Sequence, residues 1–152
     1  MRTTALSARL LVITLAAVVS GATWTAAEAR AQDPPAETVV PGTLVNTTWR
    51  LIEMDGRAPE PDLPPVTLAF GPARAEGSGG CNWYSAWLEF PAARQVAVSY
   101  LTATRRDCLH PRIMDREVRY LEALETLETY RLDGDRLFLA AGTTPGLAFR
   151  RE

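Results

Sequence analysis

A single segment of this 152-residue chain has the hydrophobic period of an α-helix. Between residues 111 and 128, apolar side chains recur at intervals of three and four, which predicts an amphipathic helix with one buried stripe. Pro111 fits the first turn of this helix, where its missing N–H is not needed. The stripe consists of Met114, Val118, Leu121, Leu124 and Leu127. A chain with one helix must build the rest of its core from other elements.

Short strands are predicted for most of the remaining chain. Segments that alternate in polarity or are rich in β-branched residues end at Gly, Pro, Asn or Asp, as strands between tight turns do. Two-residue turns fit Asp55-Gly56 and Asp133-Gly134. The segments are 46–53, 66–70, a short arm at 74–77, 82–90 and 95–101 before the helix, then 130–132, 135–139 and 147–150 after it.

The order of these elements predicts the fold class. Hairpins dominate, and no βαβ repeat is present, so neighbouring strands should run antiparallel. We therefore expect an α+β domain with a mainly antiparallel β-sheet or open barrel. One amphipathic helix, at about 111–128, precedes a C-terminal hairpin and a last strand.

The segment 82–90 carries an unusual number of aromatic residues. Trp83, Ser85 and Trp87 share one face of the predicted strand, and Tyr84, Ala86 and Leu88 share the other. We expect both faces to be at least half buried and the aromatic rings to pack in the core. The alternative is an exposed aromatic platform formed by Trp83, Tyr84 and Trp87.

The N-terminus has the layout of a secretory signal. Arg2 and Arg9 are followed by an apolar run at 10–19 and by small residues, so we predict a signal peptide over 1–31, cleaved after Ala31. An uncleaved anchor is the alternative. Residues 32–43 are rich in proline and are predicted to be a tether, with one domain over 44–152. No later segment is apolar enough for a transmembrane helix, so the mature chain should be soluble, in the periplasm or secreted.

Composition argues against several function classes. The formal net charge of -2 and the pI near 5.5 argue against a nucleic-acid partner. One histidine and two distant cysteines fall short of a zinc site, and Asp133-Gly134-Asp135 lacks the further acids of a calcium loop. We therefore predict no metal and no cofactor.

The two cysteines, Cys81 and Cys108, suggest a covalent tie between distant segments. In an oxidising compartment a disulfide is the default, and closing a loop of about 28 residues would stabilise the fold by roughly 3–4 kcal/mol. Two buried free thiols are one alternative. The other is a nucleophilic Cys81 with His110 as its base and Asp107 or Asn82 orienting it, although no helix follows Cys81 to lower the thiol pKa.

Basic residues crowd the start of the predicted helix, although a helix dipole favours acids there. A solvated face explains them, and an anion-binding patch is the alternative. The candidate patch consists of Arg105, Arg106, Arg112 and Arg116.

Taken in order, these motifs resemble the META domain family, which includes the HslJ-like heat-shock proteins of bacterial envelopes. The resemblance starts in 44–51 with a Leu-x-x-Thr-x-Trp-x-Leu pattern and continues through Gly79-Gly80-Cys81-Asn82-x-Tyr84. It extends over Thr104-Arg105-x-x-Cys108, then Met114, Glu117 and Tyr120 on the helix, and ends in the hairpin 130–139. Ala86, where a glycine is common, departs from the pattern. So does the missing lipid-anchor cysteine, which favours a soluble periplasmic or secreted form.

The resemblance implies a compact β-rich fold with one helix and an exported protein linked to stress response, without catalytic residues. We therefore expect a non-enzymatic, monomeric domain that binds a protein or an envelope component. One alternative is a small secreted enzyme inhibitor that presents the proline-rich loop 58–65. The other is a thiol hydrolase that uses Cys81 and His110.

Overall fold

A computed structural model describes residues 40–142 and 146–152. The predicted signal peptide and most of the predicted tether lie outside the described residues. Val40, inside the predicted tether, is buried in the core, so packed structure is present from that residue onward. In the described part, no helix is both long and apolar enough to cross a membrane.

Eight strands and one helix make up this part of the chain. Most of the strands alternate between buried and more exposed residues, as expected for a half-buried sheet. The elements are β1 (Thr47–Met54), β2 (Thr67–Phe70), β3 (Arg74–Ser78), β4 (Trp83–Glu89), β5 (Ala97–Ala103), α1 (Pro111–Glu125), β6 (Thr129–Asp133), β7 (Arg136–Ala140) and β8 (Leu147–Arg151).

All eight strands belong to one antiparallel sheet with the order β5-β4-β3-β2-β1-β8-β7-β6. The sheet curls until its two ends meet. Just before β5, the Val96 N–H donates to Glu128 O at 3.0 Å, and the Tyr130 N–H of β6 donates to Arg94 O at 2.9 Å. The predicted α+β class with an open barrel is confirmed.

Local chemistry accounts for the turns and the start of the helix. Asp55 and Gly56 both have positive φ, at 53° and 75°, in the tight turn that closes between Met54 and Arg57, as the sequence predicts. His110 is the N-cap residue of α1 and Pro111 occupies the first turn, also as predicted. The helix ends at Glu125 rather than 128, and the turn after β6 is formed by Gly134 and Asp135, one residue later than predicted.

The prediction of the helix's buried stripe was partly wrong. Leu124 and Leu127 are buried as predicted, but Val118 is 51% exposed and Leu121 is only partly buried. The face that packs on the sheet is rotated so that it includes Tyr120 and two charged residues, Arg116 and Glu117. The reason is that polar groups of the sheet need partners on this face, as described below.

This packing predicts unequal effects of truncating the helix's leucines. Leu124→Ala should lower the free energy of unfolding by about 3 kcal/mol, because Leu124 is fully enclosed by the core. Leu121→Ala should cost about 1 kcal/mol, since that side chain packs only at the core's margin. Urea unfolding measures both, with Val118→Ala as the exposed control. Equal losses at 121 and 124 would contradict this orientation of the helix.

Candidate functional site

A disulfide joins Cys81 to Cys108, with their Cα atoms 6.0 Å apart, as predicted. It ties the turn before β4 to the loop before α1. In this oxidised form Cys81 cannot act as a thiolate nucleophile, and the imidazole of His110 caps no N–H of the helix. Within residues 40–142 and 146–152, no group of three or more His, Cys, Asp or Glu side chains is placed to hold a metal ion.

Beside the disulfide lies a buried polar network centred on Glu117. Its Oε2 accepts the backbone N–H groups of Cys81 at 2.9 Å and Asn82 at 2.6 Å, and its Oε1 accepts Asn82 Nδ2 at 2.6 Å. Asn82 in turn pairs with the loop after β5: Nδ2 donates to Arg106 O, while Oδ1 accepts the Arg106 N–H and the Thr104 hydroxyl. The network therefore joins the turn before β4, the loop after β5 and α1, and the bonds to the Glu117 carboxylate are charge-assisted.

The glycines before Cys81 allow the helix to come this close. A Cβ at Gly79 would lie 2.6 Å from Glu117 Cγ, and a Cβ at Gly80 would lie 2.6 Å from Arg116 Nη2. Gly80 also has φ +117°, a conformation that side chains rarely adopt. Gly79 and Gly80 therefore allow α1 to pack closely against the turn before β4.

A pair of buried tyrosines extends this contact between sheet and helix. The hydroxyls of Tyr84 and Tyr120 lie 2.6 Å apart, and Tyr84 also donates to Thr67 O. Burial raises the pKa of both phenols well above the usual value for tyrosine, and the hydrogen bond to Tyr120 only partly opposes this for Tyr84. Both remain neutral donors at any physiological pH.

The four arginines of the candidate patch occupy different environments. Arg116 is buried and its Nη2 donates to Pro64 O, so it does not belong to a surface patch. Burial lowers the pKa of its guanidinium. Arg112 pairs with Asp62 at 2.6 Å, and this hydrogen bond holds the carboxyl pKa of Asp62 below its usual value. Arg105 and Arg106 are exposed.

The proline-rich loop 58–65 is anchored to α1 by two contacts. Arg116 donates to Pro64 O, and Arg112 forms an ion pair with Asp62. Leu63, within the loop, is buried and contributes to its attachment. These contacts hold part of the loop against the domain. An inhibitory role for it stays a prediction.

The outer side of the sheet exposes three large aromatic side chains. Trp83 is 62% exposed, Trp87 38% and Tyr100 59%. We call these three residues of β4 and β5 the aromatic face. Trp87 and Tyr100 are paired across the strands, with ring centroids 5.7 Å apart. The prediction that the tryptophans pack in the core was wrong, because one helix covers only one side of the sheet; the alternative platform exists without Tyr84, which points inward.

Polar residues separate the aromatic rings. Glu76, Ser85 and Thr102 lie side by side on β3, β4 and β5, in the row between Trp83 and Trp87. Two shallow depressions adjoin at Glu76: one of about 450 Å³ includes Trp83, and one of about 660 Å³ includes Trp87. At the Trp87 end of the face, the guanidinium carbon of Arg74 lies 5.7 Å from the centroid of the Trp87 ring, and Arg74 forms an ion pair with Glu76. The face therefore consists of two adjoining shallow depressions with alternating aromatic and polar groups, which together we call the groove.

Comparisons with known proteins agree with this fold. An NMR structure of a protein is 23% identical, with a TM-score of 0.60, and covers 74% of this chain and 94% of its own. An NMR structure of a protein from Burkholderia xenovorans is 24% identical, with a TM-score of 0.56 and coverages of 80% and 97%. These likenesses show the fold alone. No curated protein matches the chain significantly.

The sequence pattern of the META domain matches residues 42–152. The match contains the disulfide, the network around Glu117 and the aromatic face. On this basis, the chain belongs to the META domain family.

Proposed function

We propose that the protein is a non-enzymatic, exported binding domain that attaches to a component of the cell envelope through the aromatic face. Export is supported by the signal-like N-terminus and by the disulfide, which persists in oxidising compartments. A contribution to the stress tolerance of the envelope is the cellular role that this binding would serve.

The observation that carries the proposal is the exposure of Trp83, Trp87 and Tyr100 on one surface. Large aromatic side chains lose favourable burial energy when they face water, and several of them exposed together on one surface mark an interaction site. Tryptophan and tyrosine are also the residues that contribute most to binding when they become enclosed. By contrast, the polar side chains of Asn82 and Glu117 beside the disulfide are used in internal contacts.

Sedimentation with the insoluble envelope fraction of the source organism tests the proposal. The wild-type chain should bind, and the double variant Trp83→Ala/Trp87→Ala should bind at least about tenfold more weakly, as expected for loss of two enclosed aromatic contacts. Val118→Ala removes an exposed apolar side chain from the helix and should bind like the wild type. Circular dichroism should show that all three chains keep the fold.

Two results would contradict this function. Equal binding by the wild type and the double variant would show that the aromatic face is not the contact surface. Absence of binding by the folded wild type, over a range of salt concentrations, would show that the envelope fraction contains no ligand for it.

A further inference from the structure

We infer that the ligand of the aromatic face is an acidic glycan of the cell surface, that is, an extended chain of sugar rings bearing carboxylates. This inference rests on the proposed function and names its ligand. Three properties of the face support it: the spacing of its rings, the polar row between them and the charge at its two ends.

The spacing of the rings suits an extended chain. Trp83 and Trp87 lie on the same face of β4 four residues apart, which separates their Cα atoms by about 13 Å at about 3.3 Å per residue. Tyr100 widens the platform beside Trp87. A linear glycan could therefore lie along β4 with different sugar rings against the two indoles. A compact ligand would reach only one of them.

The polar row favours sugar over protein as the occupant. A pyranose ring has a C–H face that stacks on an aromatic ring and a rim of hydroxyls that form hydrogen bonds. The groove offers both, since Glu76, Ser85 and Thr102 lie between the indoles. Protein interfaces instead have a continuous apolar centre with polar groups at the rim. Here the polar groups occupy the centre.

Ser85 is the most informative residue of this row. Its hydroxyl is buried yet has no hydrogen-bond partner among the described residues, although buried hydroxyls are nearly always paired. It lies in the lining of the depression that includes Trp83. A ligand hydroxyl that reached it would satisfy it.

Charge favours an anionic glycan. Arg105 and Arg106 follow β5 at the Trp83 end of the groove and form no ion pair within the described residues. Asn82 bonds both the N–H and the carbonyl of Arg106, which fixes the backbone of this residue beside the start of β4. Three arginines lie on the face or in the segment that directly follows Thr104 in its lining, against two carboxylates, although the whole chain is negative. The groups are Arg74, Arg105 and Arg106, against Glu76 and Glu89.

Two oligosaccharides that differ only in charge test the inference. Oligomannuronate and a β-1,4-mannooligosaccharide of the same length share linkage and ring geometry, but only the first carries carboxylates. Titration at low salt, followed by tryptophan fluorescence and calorimetry, should show that oligomannuronate binds about tenfold more tightly. Trp83→Ala and Trp87→Ala should each weaken binding of both sugars about tenfold, and Ser85→Ala should weaken it without destabilising the fold.

The arginines provide a separate readout. Arg105→Ala/Arg106→Ala should remove most of the preference for the acidic sugar and leave binding of the neutral one unchanged. Equal binding of both sugars by the wild type would overturn the acidic part of the inference. If neither sugar binds while envelope binding still depends on Trp83 and Trp87, the ligand of the aromatic face is not such a glycan, and the proposed function stands. If the wild type forms a dimer that Trp83→Ala/Trp87→Ala abolishes, a second copy occupies the face and the inference fails.

Discussion

Glu117→Ala should lower the free energy of unfolding by about 3–5 kcal/mol, the range expected when one partner of a buried, charged network is removed. The substitution leaves the backbone N–H groups of Cys81 and Asn82 without an acceptor in a site closed to water. Asn82 loses its contact with the helix as well. Chemical denaturation measures the loss, and Glu122→Ala, on the exposed side of the same helix, is the matched control with an expected change near zero.

Glu117→Gln distinguishes the hydrogen bonds from the space that the side chain fills. Glutamine has nearly the same shape but must present an NH₂ group to one of three donors. Rotating the Asn82 amide does not relieve this conflict, because its Oδ1 already accepts from Arg106 N–H and Thr104. We expect a loss of about 2 kcal/mol. If Glu117→Gln were as stable as the wild type, the hydrogen bonds that Glu117 accepts would not contribute to stability.

The fold class could be predicted because it depends on local patterns. The turn pair Asp55-Gly56, the position of Pro111 and the alternation within β4 each act over a few residues. The curvature of the sheet could not be predicted in this way. It depends on hydrogen bonds between residues 94–96 and 128–130, which are distant in sequence, and on irregularities at Leu51/Glu53 and Trp87/Leu88.

The charged residues on the buried side of α1 were missed for a related reason. A hydrophobic period assigns Arg116 and Glu117 to the solvent, since charged side chains are rarely buried without partners. Their partners are backbone groups of Pro64, Cys81 and Asn82, which only the fold brings to the helix. The resemblance to the META family included Glu117 as a position but suggested no role for it.

The exposure of Trp83 and Trp87 could have been inferred from the element count. One helix covers one side of a curled sheet, and the side of β4 that contains Tyr84, Ala86 and Leu88 is the side it covers. The other side must face solvent unless a further layer is present. Tyr100 was not recognised as part of a site, because a single tyrosine on a strand has no distinctive sequence signal.

Cys81→Ser and Cys108→Ser should each lower the free energy of unfolding by about 3–4 kcal/mol in the chain-entropy model, because the bridge closes a long loop. The double variant should lose the same amount as either single variant, since each change breaks the same bond. Reduction of the wild type should reproduce this loss, and reductant should have no effect on the double variant. Denaturation curves of the wild type and the three variants, each with and without reductant, measure these losses.

The network around Glu117 should keep α1 attached to the sheet when the disulfide is broken. Asn82 holds Arg106 in place independently of the disulfide, so the loop before α1 should remain attached after reduction, and α1 should stay packed on the sheet. Circular dichroism of the reduced protein should then match the oxidised form below the unfolding transition. Losses that add in the double variant would mean that each serine introduces its own defect, and would reject the bridge as the source of the stability.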